Sequence, residues 1–277
     1  MKGRGIRLNN RKTIVELRGI SKSFPGVQAL SDVSFDIREG EVHALCGENG
    51  AGKSTLIKIL TGAQPMDAGS IFIDGEQVHF KSTQDSMDKG IACIYQELSI
   101  VPQLDVAKNI FLGRMFKNKA GILDFQSLYD GAEDILKNYM GMDVSPRTPA
   151  GSLSIGQQQM VEIARALSRH ARVIIMDEPT SSLSEAESDT LFKLIDFLRK
   201  DNVAIVYISH KLDEVMNLSD RITVLRDGQN VTTMDVAETS TDDLIAKMIG
   251  RSVENLYSKR PADPGKTMLE VSGLTRD

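Results

Sequence analysis

Residues 47–54 read Gly47-Glu48-Asn49-Gly50-Ala51-Gly52-Lys53-Ser54. The spacing is that of the phosphate-binding loop G-x-x-x-x-G-K-[ST], which is specific only when a strand precedes it and a helix follows. Both flanks comply. Residues 41–46 predict a buried strand, and 53–61 predicts a helix stopped by Gly62. Gly50 and Gly52 admit backbone torsions that turn amide N–H groups toward an anion. The helix start adds orphan N–H groups and the positive end of its dipole. Lys53 supplies a point charge for the outer phosphates. Ser54 offers a hydroxyl oxygen to Mg²⁺, a hard cation. Thr55 is placed to reach another phosphate.

Downstream, Val173-Ile174-Ile175-Met176-Asp177-Glu178 is an apolar strand ending in two acids. Parallel strands end where ligands bind. Asp177 is therefore expected to hold Mg²⁺, and Glu178 to act as the base that orients or deprotonates an attacking water. Between these motifs, Leu153-Ser154-Ile155-Gly156-Gln157 opens a helix. Ser154 and Gln157 have capping-box spacing, and Gly156 lets an anion approach the helix N-terminus closely.

The rest of the pattern sets these motifs in an α/β chain. Residues 13–80 are rich in strand signals, with alternation at 14–17 and 33–37 and a hairpin turn at Asp74-Gly75. Residues 97–167 turn helical, with Asp124 capping a helix to about residue 140, and read as an inserted subdomain. Strand and helix signals alternate again from 172 to 225, which predicts a parallel-type sheet covered on both faces. The main domain is expected to span 13–250, after a flexible basic tail at 1–12. A polar linker, 251–266, follows. Residues 267–276 then repeat the pattern of 13–22, with Thr, Glu and Gly in register, as if a second copy of the domain were beginning.

Composition narrows the class. The chain has 277 residues, 41% hydrophobic and 26% charged, a net charge of −5 and no Trp. An acidic chain poor in aromatics lacks both the basic footprint and the stacking platforms of a nucleic-acid binder, so no nucleic-acid partner is expected. Two cysteines, Cys46 and Cys93, are too few for a disulfide framework and read as reduced core residues. No apolar run approaches the roughly 18 residues of a membrane span, and no export signal is visible.

Taken together, these motifs resemble, in the family's order, the nucleotide-binding domain of ATP-binding-cassette (ABC) proteins. The resemblance runs from about residue 13 to 250. It implies a P-loop, RecA-like α/β core with an antiparallel β-subdomain and an inserted helical subdomain. Residues 47–54 match Walker A, and 173–177 match Walker B with Glu178 at the catalytic position. Leu153 to Gln157 match the signature motif. Gln96 matches the glutamine loop, which in the family contacts Mg²⁺ and the membrane partner. His210 matches the switch histidine at the γ-phosphate, and Phe24 falls where an aromatic ring stacks on adenine, with simple core as the lesser alternative. The implied cofactors are ATP and Mg²⁺, the latter held through Ser54, Gln96 and Asp177. Lys53, Glu178 and His210 would form the catalytic set, and Gly47 to Thr55 the phosphate cradle. In this family two domains pack head to tail, so Ser154, Gly156 and Gln157 are expected to serve a second copy's ATP. Two positions depart from the usual pattern: Ile155 stands where glycine is common, and Ser184 where the D-loop (residues 181–184) usually has aspartate.

Finer details resemble the tandem ATPases of bacterial monosaccharide importers, notably residues 24–30, 95–98, 109–114, 158–164, 207–211 and 224–228. That resemblance implies a transport motor on the cytoplasmic face of the inner membrane. It would be partnered by transmembrane permease subunits, indirectly by a substrate-binding protein, and by a second ABC domain of the same chain or a homodimer mate. Residues 97–104 would touch the permease. Nucleoside import is the alternative within the same tandem type. A soluble repair ATPase would need a coiled-coil insertion for which 97–152 is too short, and a translation ATPase a longer charged linker than 251–266. A non-catalytic module would not need Lys53, Glu178 and His210 together.

Overall fold

The structure, a computed structural model, describes residues 11–118, 120–250, 268–273 and 275. Two sheets organise it. The first is a four-stranded antiparallel sheet, ordered β2-β1-β4-β5, built from β1 (Thr13–Phe24), β2 (Val27–Arg38), β4 (Ala68–Ile73) and β5 (Glu76–Val78). The second has six strands ordered β10-β9-β3-β8-β7-β6. Its members are β3 (Val42–Cys46), β6 (Ile91–Ile94), β7 (Val173–Asp177), β8 (Ala204–Ile208), β9 (Arg221–Arg226) and β10 (Gln229–Asp235). All neighbours in it are parallel except the edge pair β9–β10.

The parallel strands are apolar on both faces because both faces are covered. In β7, Val173 and Ile175 point into the core shared with the antiparallel sheet and helix α1 (Lys53–Leu60), which contributes Leu56, Ile57, Ile59 and Leu60. Ile174 and Met176 point the other way, toward α5 (Ile155–Leu167) and α6 (Glu185–Lys200). β8 alternates likewise, Val206 against Ile205 and Tyr207. At the other end of this sheet, Ala44, Cys46, Ile222 and Val224 pack with Val215 of α7 (Leu212–Leu218) and Leu244 of α8 (Thr241–Ile249).

The middle of the chain has a core of its own. It joins α3 (Val106–Ile110) and α4 (Phe125–Glu133) through Val106, Ile110, Phe111, Leu128, Ala132 and Leu136. Helix α5 belongs to both cores, with Met160 and Ile163 toward the sheet and Val161 and Ala164 toward the helices. It therefore ties the two layers together.

Local expectations and structure differ in instructive ways. Asp124 does cap α4, accepting the Ser127 N–H at 3.1 Å, but beyond Glu133 the helix widens into a π-helical turn, Asp134–Tyr139. The stretch 97–167 is helical only in parts: residues 97–104 form no helix, and Lys117 and Leu123 pair in a short bridge. Strands β1 and β2 run 12 residues each, well beyond the alternating segments, because irregular register shifts interrupt the alternation without ending the pairing. A short helix, α2 (Thr83–Asp88), and edge strand β10 gave no clear apolar periodicity.

The expected tail at 1–12 lies outside the described residues apart from Arg11 and Lys12, and these two are tied down. Arg11 donates to the Gly40 carbonyl and to Asp220, and Lys12 to Asp74. The linker 251–266 lies wholly outside the described residues. Of the repeat, Met268 to Gly273 are exposed and form no strand.

Candidate functional site

The C-terminal ends of β3, β7, β8 and β6 lie along one edge of the sheet, and the sequence places its polar motifs there. β3 ends at Cys46 and the chain turns through 47–52 into α1. Gly52 is the N-cap of that helix, with φ 103° and no side-chain capping bond, so the first N–H groups of α1 carry no built-in acceptor. A side chain at residue 52 is excluded twice: the torsion is left-handed, and a Cβ would stand 2.7 Å from the Ala29 carbonyl of β2. The Lys53 ammonium curls over the loop and donates to the carbonyls of Gly47 at 2.7 Å and Glu48 at 3.0 Å. Burial pushes the Lys53 pKa down, while the charges of Asp177 and Glu178 act against that. Burial pushes the adjoining Cys46 thiol up to about 12, so it stays an inert, protonated core group.

Asp177 closes β7 beside Ile208 of β8. Burial, and then the neighbouring Glu178 charge, raise its pKa. Two half-buried acids in sequence favour a cation beside them. Glu178 itself has φ 49°, a left-handed torsion rare outside glycine, fixed by its N–H donating to the Ile208 carbonyl at 2.9 Å. Strain of this kind persists where surroundings over-determine it. Its effect is to turn the Glu178 carboxylate off the strand axis to within 3.2 Å of Nδ1 of His210, the residue two beyond the end of β8.

A polar cluster behind these residues was not anticipated. The Glu214 carboxylate accepts the Tyr207 hydroxyl at 2.6 Å and the Thr180 hydroxyl at 2.8 Å, and pairs with the Lys211 ammonium at 3.1 Å. Burial would raise its pKa, but the Tyr207, Thr180 and Lys211 contacts outweigh it and hold the carboxylate ionised. The cluster links the turn after Glu178 to the loop carrying His210. Tyr207 and Lys211 lay within a motif already singled out; Glu214 gave only the signal of an acid in the first turn of α7.

The remaining expected residues fall in two places. Gln96 is exposed two residues beyond β6, whose last residue, Ile94, pairs with Met176 of β7. Phe24 is 41% exposed at the tip of the β1–β2 hairpin, not core, with the Lys22 ammonium 5.6 Å from its ring centre. The same hairpin touches the loop, since Ala29 and Leu30 of β2 abut Gly52. Ser54 is exposed and Thr55 half-buried at the start of α1, while Glu48, Asn49 and Gly50 are exposed. Ser154, Gly156 and Gln157 do not join this group. Ser154 and Gln157 form the expected capping box on α5, and the Ser154 hydroxyl also donates to Glu187 of α6.

The donor set fits both implied ligands. An uncapped helix start and an ammonium suit phosphate oxygens. The hydroxyl of Ser54, amide of Gln96 and carboxylate of Asp177 are the hard oxygens Mg²⁺ takes. Among the described residues no cluster of three or more His, Cys, Asp or Glu could hold a metal ion by itself. Among the same residues no helix is long and apolar enough to cross a membrane.

The sequence pattern of the ABC transporter family matches residues 30–181, a span that holds the loop, the α5 capping box and the acid pair. The chain belongs to the ABC transporter family. It is 51% identical over 264 residues to the ribose import ATP-binding protein RbsA 2 of Streptomyces coelicolor, covering 95% of this chain and 50% of that protein. It is 45% identical over 260 residues to the xylose import ATP-binding protein XylG of Geobacillus kaustophilus, covering 93% of this chain and 51% of that protein. The chain thus spans about half the length of the curated relatives it matches. Among solved structures, it is similar to the ADP conformation of MJ1267, an ATP-binding cassette of an ABC transporter. That likeness has a TM-score of 0.73 and 26% identity, and covers 87% of this chain and 100% of the other. It is also similar to the dimeric post-hydrolysis state of the cassette MJ0796 bound to ADP and Pi, with TM-score 0.67, 26% identity, and 80% and 99% coverage. The two-sheet architecture with its helical insert is that of an ABC cassette.

Proposed function

We propose that this domain binds and hydrolyses ATP to drive uptake of a monosaccharide through a separate membrane permease. The observation that carries it is the convergence of an uncapped, ammonium-bearing helix start with an acid pair, Asp177 and the left-handed Glu178, on one sheet edge. Gly47 to Thr55 cradle the phosphates, Lys53 neutralises the outer two, and Phe24 offers its exposed face to adenine. Ser54, Asp177 and Gln96 would hold Mg²⁺, which supplies positive charge to the phosphate oxygens when bound. Glu178 takes a proton from water as the water oxygen bonds to the terminal phosphorus; the bond to the bridging oxygen breaks and ADP leaves with its electron pair. His210 orients Glu178 and the terminal phosphate, and the Glu214 cluster fixes His210 relative to Glu178.

Ser154, Gly156 and Gln157, whose contacts are with one another and with Glu187, serve the nucleotide of a second copy, either a tandem domain or a homodimer mate. The dimeric MJ0796 cassette supports such pairing. The ribose and xylose import proteins support a pentose as cargo rather than a nucleoside, with a permease and a substrate-binding protein as partners at the cytoplasmic face of the membrane. Residues 97–104 would meet the permease. They are tied to a buried Asn109, whose amide donates to the carbonyls of Val101, Leu104 and Asp105, and to Glu162 of α5 through Ser99. The test is uptake in vesicles holding the full-length protein with its co-encoded permease and binding protein. ATP-dependent entry of ribose, xylose or galactose is expected. Entry of nucleosides but no sugar would replace the cargo, and ATP-independent entry would remove the motor role.

A further inference from the structure

Helices α5 and α6 meet at their N-termini through one side chain. Helix α6 opens with its own capping box: the Ser184 hydroxyl oxygen accepts the Glu187 N–H at 3.4 Å and Glu187 Oε2 accepts the Ser184 N–H at 3.0 Å, with the Ser184 hydroxyl also donating to Oε2 at 2.8 Å. A cap needs no more than that. Yet the other oxygen, Oε1, accepts the Ser154 hydroxyl at 2.8 Å. Gly156 lies so close that a Cβ there would stand 2.6 Å from Glu187 Oε1 and Cδ. The Ser184 N–H, the Ser154 hydroxyl and, more weakly, the Gly156 N–H hold the Glu187 carboxyl below the usual carboxylate range. Ser184 stands where the family pattern has aspartate. A second acid there would crowd Glu187, whereas serine supplies it with two donors.

The donors that meet Oε1 are those assigned above to a second copy's nucleotide, whose anionic part is its phosphate. We propose that Glu187 is a built-in stand-in for that phosphate: its carboxylate occupies Ser154 and Gly156 while the chain is alone, and it must be displaced before a second copy's nucleotide can bind there. The proposal rests on the paired-copy reading of the function. Its physical content is that two anions cannot share one set of donors without mutual repulsion. The missing Cβ at residue 156 leaves room for the carboxylate first and the phosphate afterwards. Glu187 is thus a positioning residue that sets how much ATP is needed to bring two copies together.

The experiment is ATP-driven self-association of the 277-residue chain in a Glu178→Gln background, so that nucleotide is not consumed, followed by sedimentation as ATP and Mg²⁺ are titrated. Adding Glu187→Gln is expected to lower the ATP concentration for half-maximal association about fivefold or more. An amide holds these donors more weakly than a carboxylate, and it does not repel phosphate. Glu187→Ala should shift it in the same direction even though the α6 cap is lost. A purely structural role gives the opposite sign, with a lower melting temperature and weaker association. An unchanged or raised ATP requirement in both variants, with the Glu187-intact chain associating, overturns the stand-in role alone. Failure of every chain to associate with ATP removes pairing between identical copies of this chain, and this proposal with it.

Discussion

Glu178→Gln is expected to lower steady-state ATP turnover by about 10²- to 10⁴-fold, the usual cost of losing a general base, while ATP affinity stays within about threefold. The side chains are nearly isosteric, so the left-handed turn at residue 178 and its N–H bond to Ile208 survive. The amide keeps an oxygen for His210 but accepts no proton from water. Retained affinity with collapsed turnover separates Glu178 from Lys53, whose ammonium is already seated on the loop carbonyls and acts on binding. The check is a phosphate-release assay alongside nucleotide titration. Turnover above a tenth of the starting rate would leave Glu178 no role as base.

Arg221→Met is expected to destabilise the fold by about 3–5 kcal/mol, the usual consequence of leaving buried charges without their partner. Arg221, only 6% exposed at its side chain, grips Asp36 of β2 with both terminal nitrogens, at 2.6 and 3.0 Å. It also reaches Glu41, whose side chain is fully buried, at 3.4 Å. Glu41 further accepts the Arg38 N–H at 2.9 Å and lies 3.1 Å from His43 Nδ1. This cluster joins the antiparallel sheet to the parallel one at the start of β9, where Arg221 pairs with His43, so its loss loosens the contact between the two sheets. For a domain of this size each kcal/mol moves the melting temperature by about 2–4 °C, so a fall on the order of 10 °C is expected.

The pH dependence carries the same signature. Burial alone would raise the Asp36 pKa, but hydrogen bonds and charge from Arg221 and Arg38 bring it from its ordinary 3.8 to about 2. A carboxyl depressed on folding stabilises the protein above its unfolded pKa. That contribution is lost as pH falls from about 4 to about 2. Urea unfolding across this window should show a steeper loss for the original chain than for Arg221→Met. Equal slopes and an unchanged melting temperature would mean that Arg221 is not what pairs the two acids.

The loop, the acid pair and the α5 capping box were legible because each is a local pattern: glycine spacing, an apolar run ending in acids, a hydroxyl three residues before an amide. Phe24 was ambiguous because a ring next to a Pro-Gly turn reads alike as core or platform; only the hairpin geometry exposes it. β10, with its polar Gln-Asn-Val-Thr-Thr run, gave no signal because an edge strand need not be apolar. Glu187, Glu214 and Arg221 were invisible for a different reason. Each acts through partners 33, 34 and 185 residues away, and no spacing rule reaches across such separations. Ser184 shows both sides of this: its departure from the family pattern was plain in the sequence, while its use as a donor to Glu187 needed the packing of α5 against α6.

The account stands most directly on a triphosphate held by the start of α1 with Mg²⁺ at the neighbouring acids. Calorimetric titration of ATP into the chain, with and without Mg²⁺, and into its Lys53→Ala variant measures this. Saturable, Mg²⁺-dependent binding is expected, weakened at least about tenfold in the variant by loss of a charge-assisted contact. Binding indifferent to both Mg²⁺ and Lys53, or no binding at all, would contradict it.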